Sequence, residues 1–418
     1  MPLVKVKGTP VDHRLHFFTS ANWTVPYNCK ALIVAVGGGG GGGVATGSST
    51  AEPVAANGGD AGGVAVHEAV LSAGTVLTIT PGASGAVGNL FNTNTPSSIN
   101  GSSGGTTTVT GGGISLTANG GNGGQTATLV RASSTPGTTV LAATQGTAAG
   151  TASGGNIMNV TGGKGGDTSI VLNSASTADD CLGVTGGGAI GILGVGQDGG
   201  TVTRTGTIAA DRMLIGGAAS IGLPGFSLND TTDDDRLVQG RGVHSDSPVG
   251  RNDSALSDGY AHRDAFWGGG GASSSATDAD FSVIQYDMHS EQARNYCLFN
   301  LNGPGGYYGN AQNHAAGFGY LGGSGGSMYS VGAGSRWYTL GRIYGGAGGV
   351  GAGGGAHMNR GGSNNIDPDV FVGGTGGNYG GGGGGCAIAR RLDNASAGAF
   401  GGVGGRGGVY IKIVEILV

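Results

Sequence analysis

Apolar and polar positions alternate over short stretches of this 418-residue chain, and nowhere does an apolar residue recur at helical spacing over a long segment. The pattern predicts short β-strands and almost no α-helix. Strands are read at 16–18, 31–36, 63–70, 76–80, 106–110, 114–118, 168–172 and 409–418, where Thr, Val and Ile dominate and Gly, Asn or Pro stand at the borders. In the last of these, Ile411 and Ile413 alternate with Lys412, so the two isoleucines are expected to face inward. Segments 31–36 and 409–418 each adjoin a glycine run. They are therefore expected at the same end of the molecule, in one sheet or in two facing sheets.

Between the strands the period changes from two to three. Asn119-Gly-Gly-Asn-Gly-Gly-Gln125, Thr161-Gly-Gly-Lys-Gly-Gly-Asp167, Gly322-Gly-Ser-Gly-Gly-Ser327 and Gly401-Gly-Val-Gly-Gly-Arg-Gly-Gly408 all repeat G-G-x. Three residues per turn is the period of the polyproline-II helix. In that geometry G-G-x places glycine on two edges and a side chain on the third. Edges without Cβ let backbones approach and bond laterally. The pure runs 37–43 and 380–385 carry no side chain on any edge and suit the centre of a stack. The fold class expected is mostly β and irregular: short strands flanking a stacked polyglycine-II core, with 37–43, 345–355, 373–385 and 401–408 as extended members.

Composition sharpens the picture. Glycine makes up 98 of 418 residues, about 23 % against a usual value near 7 %. Glycine loses more backbone entropy on folding than any other residue, and backbone hydrogen bonds are what it has to offset the loss. Flexible linkers are the alternative reading of polyglycine, but the runs are many and join no second domain. A calcium β-roll is another, since Gly162-Gly-Lys-Gly-Gly-Asp167 begins its repeat. However, Ser169 stands where a large apolar residue belongs, and no tandem copy follows.

Charge excludes more than it assigns. Only 11 % of residues are charged and the net charge is −5, without the basic stripe of a nucleic-acid binder. Eleven prolines and no strict Gly-X-Y register exclude collagen. Cys29, Cys181, Cys297 and Cys386 lie far apart with no CxxC pair, and are expected to be free thiols of a protein assembled in a reducing cytosol. The opening MPLVKVKGTP lacks the apolar run of a secretory leader. The longest apolar run, 31–36, is far short of the roughly 20 residues that cross a membrane.

Three regions follow: a glycine-rich N-terminal scaffold at 1–225, a polar and aromatic insertion at 226–344, and a C-terminal glycine core with a closing strand at 345–418. Fifteen of the 25 aromatic residues fall between Tyr260 and Tyr344. Asp230 and Asp233 to Asp235 are oxygen donors of the kind calcium takes, but without EF-hand spacing they read first as a solvated acidic loop. His244 and His262, each two residues before an Asp, are read as exposed rather than as metal ligands. The matches to G-x-S-x-G at 101–105 and 322–326 do not follow an apolar strand and precede a helix, as a nucleophile elbow must. No cofactor motif stands out, and the chain is not read as an enzyme. Tyrosine amid glycine and asparagine is instead the composition of binding loops. The receptor-contact candidates are Tyr260, Trp267, Tyr307, Tyr308, Tyr320, Trp337 and Tyr338.

One ordered set of motifs carries a resemblance. Phe18-Thr-Ser-Ala-Asn-Trp-Thr-Val-Pro26 precedes Ala31-Leu-Ile-Val-Ala-Val-Gly-Gly-Gly39, then Gly58-Gly-Asp-Ala-Gly-Gly-Val64 and Leu71-Ser-Ala-Gly-Thr-Val-Leu-Thr-Ile-Thr-Pro-Gly82. Gly104-Gly-Thr-Thr-Thr-Val-Thr-Gly-Gly-Gly113 and the closing Gly404-Gly-Arg-Gly-Gly-Val-Tyr-Ile-Lys-Ile413 complete it. Over roughly 16–200 and 345–418 the chain resembles the glycine-rich domain of bacteriophage tail-fibre and distal-tip adhesins. The resemblance implies a β-rich shell around stacked polyglycine-II helices and host recognition by loops at one end. It implies a virion protein assembled in the host cytoplasm, whose partners are a host outer-surface receptor (membrane protein or glycan) and other tail-fibre proteins, with self-association open. Two further readings stand beside it: a self-assembling structural fibre that recognises nothing, and a glycan-degrading tail enzyme.

Overall fold

The computed structural model describes residues 12–47, 54–91, 96–128, 140–146, 149–171, 182–191, 194–204, 348–359, 370–388 and 398–416, together with 212–215, 217, 228–230, 236–238, 250–251, 327–329 and 342–344. These residues form β-strands and extended glycine segments, with no helix among them.

Strands β1 (Asp12–Phe17) and β2 (Ala21–Thr24) open the chain, which then crosses the molecule repeatedly. β3 (Cys29–Val36) leads through 37–43 into β4 (Val44–Thr46), and β5 (Val54–Ala56) returns through 57–63 into β6 (Val64–Leu71). β7 (Val76–Thr80) leads out to β8 (Asn89–Phe91), and β9 (Ser97–Ile99) returns to β10 (Thr107–Gly111). β11 (Ile114–Ala118) leads out to β12 (Thr126–Thr128), β13 (Val140–Ala143) returns to β14 (Ala152–Ser153), and β15 (Met158–Val160) leads out to β16 (Thr168–Val171). There follow β17 (Leu182–Val184), β18 (Val202–Arg204), β19 (Arg212–Ile215), β20 (Leu228–Asp230), β21 (Arg236–Val238) and β22 (Gly250–Arg251). Then come β23 (Ser327–Tyr329), β24 (Arg342–Tyr344), β25 (His357–Asn359), β26 (Val370–Val372) and β27 (Cys386–Ile388). β28 (Gly398–Phe400) starts the final return, through 401–407, into β29 (Gly408–Glu415).

The strands make two layers with glycine between them. At one pole, sheets ordered β1-β29-β3-β6-β15 and β14-β11-β10-β7-β2 form a cap. Their alternating inward residues, among them Ile33, Leu77, Ile79, Leu116 and Ile411, share one core and are fully buried. At the other pole lie four sheets of very short strands, ordered β12-β5-β17-β19-β21-β22, β13-β16-β18-β20, β23-β25-β27-β4-β9 and β24-β26-β28-β8. The expected neighbourhood of the two glycine-flanking strands holds. β29 pairs antiparallel with β3 over eight residues, from Gly408 opposite Val36 to Glu415 opposite Cys29, and Ile411 and Ile413 are buried.

Each glycine segment bonds sideways, to other segments. The N–H groups of Gly37, Gly40 and Gly43 donate to the carbonyls of Gly63, Asp60 and Asn57 at 3.0, 2.9 and 3.0 Å. Those of Gly38 and Gly41 donate to Gly105 and Ser102, and those of Gly39 and Gly42 to Gly405 and Gly402. The carbonyls of the same run accept from three further segments: Gly121 and Gly124, Gly85 and Gly88, and Gly383 and Cys386. Partners therefore change with a period of three, and 37–43 has six neighbours. Every residue of the run is buried. At the periphery the period shows as burial. In 401–408 only Val403 and Arg406 face solvent, and in 81–88 Gly82, Gly85 and Gly88 are buried while Ala83 and Ala86 are exposed.

Two expectations, that 373–385 and 345–355 are each a single extended segment, need correction. The run 373–385, read as a single extended segment, doubles back. Asn378 to Gly380 form a turn, with Tyr379 at φ 63° and Gly380 at φ 80°, so 373–377 and 381–385 lie side by side as one arm between β26 and β27. Tyr379 is held in this left-handed conformation by packing on Phe18, with ring centroids 4.9 Å apart, and by a hydroxyl bond to His16 Nδ1 at 2.5 Å. Segment 348–356 turns likewise at Val350 and Gly351, and 185–200 forms a third arm between β17 and β18. All three arms enter from the four-sheet layer and return to it.

Candidate functional site

Strand directions show which connections lie at which pole. Going outward through the lattice, the chain leaves on β4, β8, β12, β16, β18 and β20 and re-enters on β5, β9, β13, β17, β19 and β21, with parallel and antiparallel pairings consistent throughout. It also leaves on β23, β25 and β27 and re-enters on β24, β26 and β28. The connections at the four-sheet pole are therefore 47–53, 92–96, 129–139, 172–181, 205–211, 231–235, 330–341, 360–369 and 389–397, each five to twelve residues long. The cap has only short joins of two to four residues: 18–20, 25–28, 72–75, 112–113 and 154–157. The tightest joins β10 to β11 at Gly112 and Gly113, with φ 60° and 80°, the signs that a two-residue type I′ hairpin requires. The two poles differ in kind. One is closed by tight turns, and the other carries the longer connections between the described strands.

Phe91 lies at the rim of the open pole, half exposed, with its ring edge-on to Phe400 at 5.1 Å. Ile99 and Val140 are also exposed on strands of this layer. Of the contact candidates, Trp337 and Tyr338 fall in the connection from β23 to β24. Tyr260, Trp267, Tyr307, Tyr308 and Tyr320 fall between β22 and β23. All seven lie outside the described residues. Asp230 ends β20, and Asp233, Asp234 and Asp235 fall in the connection that follows, also outside the described residues, as do His244 and His262. No group of three or more His, Cys, Asp or Glu that could hold a metal ion occurs among the described residues. Cys29 and Cys386 are free and buried, and burial pushes the Cys386 thiol up to about 12; Cys181 and Cys297 lie outside the described residues.

Reading the sequence missed a polar cluster that braces the lattice beneath this pole. Asp60 is completely buried. Its Oδ1 accepts from the Gly165 N–H at 2.8 Å and from Gln145 Nε2 at 3.2 Å, and its Oδ2 accepts from Asn122 Nδ2 at 3.1 Å. Gln145 also donates to the Gly58 carbonyl, Asn57 Nδ2 donates to the Ala143 carbonyl at 2.6 Å, and Thr168 donates to Asn57 Oδ1 at 2.9 Å. Four segments are stitched together by these side chains. Desolvation raises the Asp60 carboxyl to about 7, against the opposing pull of its hydrogen bonds and of Lys164. The signal for the cluster was the lone Asp within Gly58-Gly-Asp-Ala-Gly-Gly63, a charged residue inside a run whose other residues are glycine and one alanine.

Lateral glycine bonding and short flanking strands, with longer connections at one pole, define a glycine-rich β protein. By sequence, the family model described as a glycine-rich domain matches residues 18–282, more than half of the chain, and the chain belongs to that family. A comparison with curated protein sequences gives no match.

Proposed function

We propose that this chain is a receptor-binding adhesin at the tip of a bacteriophage tail fibre, which recognises a host cell-surface receptor through connections held on a glycine-rich scaffold. The observation that supports this most is the asymmetry of the poles: nine longer connections at one, tight turns at the other. Glycine backbone presents no side chains and discriminates poorly between surfaces. Specificity needs side chains on loops fixed by a rigid frame. On this reading the lattice is polyglycine-II, because hydrogen-bond partners repeat every three residues along 37–43 and burial does so along 81–88 and 401–408. Tyr260, Trp267, Tyr307, Tyr308, Tyr320, Trp337 and Tyr338 supply flat amphipathic contact area for sugar faces or outer-membrane protein loops. The cap, which holds both ends of the described chain, faces the other tail-fibre proteins, and the protein resides on the virion.

The test is capture of host outer-surface components by the purified chain. Replacing Tyr307 and Tyr308 together by Ala is expected to weaken capture while moving the melting temperature by no more than a few degrees. Capture that survives substitution in every open-pole connection and in the 252–326 segment, yet is lost on altering exposed cap residues, overturns the assignment. Negative-stain images are expected to show discrete particles, and filaments of the purified chain would instead favour a structural fibre.

A further inference from the structure

We infer that residues 398–416 form a keystone lane, inserted after its walls into a strand-acceptor slot, and that the slot accepts the same segment supplied by a second copy of the chain. The lane runs from one pole to the other. In the lattice, the N–H groups of Gly401, Gly404 and Gly407 donate to Gly88, Gly85 and Gly82. The carbonyls of Gly402 and Gly405 accept from Gly42 and Gly39. The arm at 373–385 closes a further side, with Gly376 donating to Val403 and the Gly402 and Gly405 N–H groups donating to Gly384 and Gly381. In the cap, β29 lies between β1 and β3, pairing with six residues of the first and eight of the second. β1 has β29 as its neighbour in the sheet and stands at the sheet edge. Val409, Ile411 and Ile413 are buried in the cap core beside Ala31, Ile33 and Leu116.

This arrangement constrains the order of assembly. The walls of the slot come largely from the first 91 residues, and the strand that fills it is made after them. Until then β3 presents an unpaired ladder edge above an incomplete apolar core, and β1 has no sheet to join. An open edge beside buried apolar positions is a template for any extended segment of matching alternation. The segment with the matching pattern is Gly404-Gly-Arg-Gly-Gly-Val-Tyr-Ile-Lys-Ile413, whose glycines fit the lattice and whose Val409, Ile411 and Ile413 fit the core. Neighbouring chains carry the same segment at the same stage, which is the condition for exchange between copies.

The experiment uses full-length chains. An Ile411→Asp/Ile413→Asp variant is refolded with a fluorescent synthetic peptide of residues 401–416, or with a scrambled peptide of equal composition. The expected result is 1:1 capture of the native-sequence peptide and recovery of a cooperative melting transition. Wild type refolded alongside is expected to capture at least about tenfold less. A Tyr410→Pro variant breaks the ladder by removing a backbone donor rather than by adding charge, and the same rescue is expected. Absence of capture by both variants, or a wild-type melting temperature in both without peptide, overturns the keystone. Wild type refolded at rising concentration is expected to give a growing share of dimers that persist on dilution, and monomers at every concentration would overturn the exchange between copies.

Discussion

A carboxylate enclosed by glycine backbone is costly, because the charged form loses its water and gains only the donors within reach. Asp60 has three such donors and still titrates near 7, well above the ordinary 3.8. The sign follows from linkage. The folded state holds the proton more tightly than the unfolded chain, so the contribution is fully present below about pH 4 and is lost as pH rises through about 7. Unfolding followed by denaturant titration should therefore show stability falling by a few kcal/mol between these limits. Asp60→Asn should flatten that slope, since an amide keeps one acceptor and has no proton to lose. A slope unchanged in the variant would place the titration elsewhere. Gly40 tests the opposite property, space. A Cβ there would overlap the Asn122 carbonyl, which is backbone and cannot swing aside. Gly40→Val should abolish soluble expression or lower the melting temperature severely, and a variant that melts like wild type would contradict close packing at the centre of the lattice.

Along one glycine segment, the period of three makes neighbouring residues unequal. Val403 projects outward with 39 % of its surface exposed, whereas a Cβ on Gly404 would meet the Gly39 carbonyl. Val403→Ser should change stability by less than about 0.5 kcal/mol, while Gly404→Val should cost about 2 kcal/mol or more. Equal effects in chemical denaturation would remove the three-fold register. Strands were legible in the sequence in proportion to their length. Segments 76–80 and 114–118 alternate, and 31–36 is an apolar run closed by glycine, so all three were readable. β4, β5 and β8, with sequences VAT, VAA and NLF, are three residues long and carry no period. Their strand form comes from pairing with β27, β17 and β28, whose residues lie far away in the chain. The turn at Tyr379 was hidden for a related reason. Asn-Tyr between glycines fits an exposed third edge as well as it fits a reversal, and the contacts with Phe18 and His16 made the choice.

At the scale of the whole molecule, the two poles should respond differently to change. Replacing residues 129–139 by a Gly-Ser segment of equal length is expected to leave the melting temperature within a few degrees, because both ends are fixed in the lattice through β12 and β13. Replacing Gly112 and Gly113 by Ala in the cap hairpin is expected to cost about 1–2 kcal/mol, because both positions need φ above zero. Calorimetry on the two variants checks the contrast, and equal losses would count against a rigid frame with tolerant loops.

The sequence by itself determined the local rules. Apolar runs and alternation set the cap strands, and in the peripheral segments 81–88 and 401–408 the glycine positions set which sides are packed. Lack of a long apolar period left no place for a helix in these segments. Tertiary structure decided which lane lies beside which, that three arms turn back toward the four-sheet layer, that β29 enters between β1 and β3, and that Asp60 ties four segments together. The reason is physical. Glycine lanes are held by backbone N–H and carbonyl groups that every residue but proline shares, so a lane carries no residue-specific mark of its neighbour. Adjacency is fixed only when strands at both ends of the lanes, distant in sequence, bring particular backbones side by side.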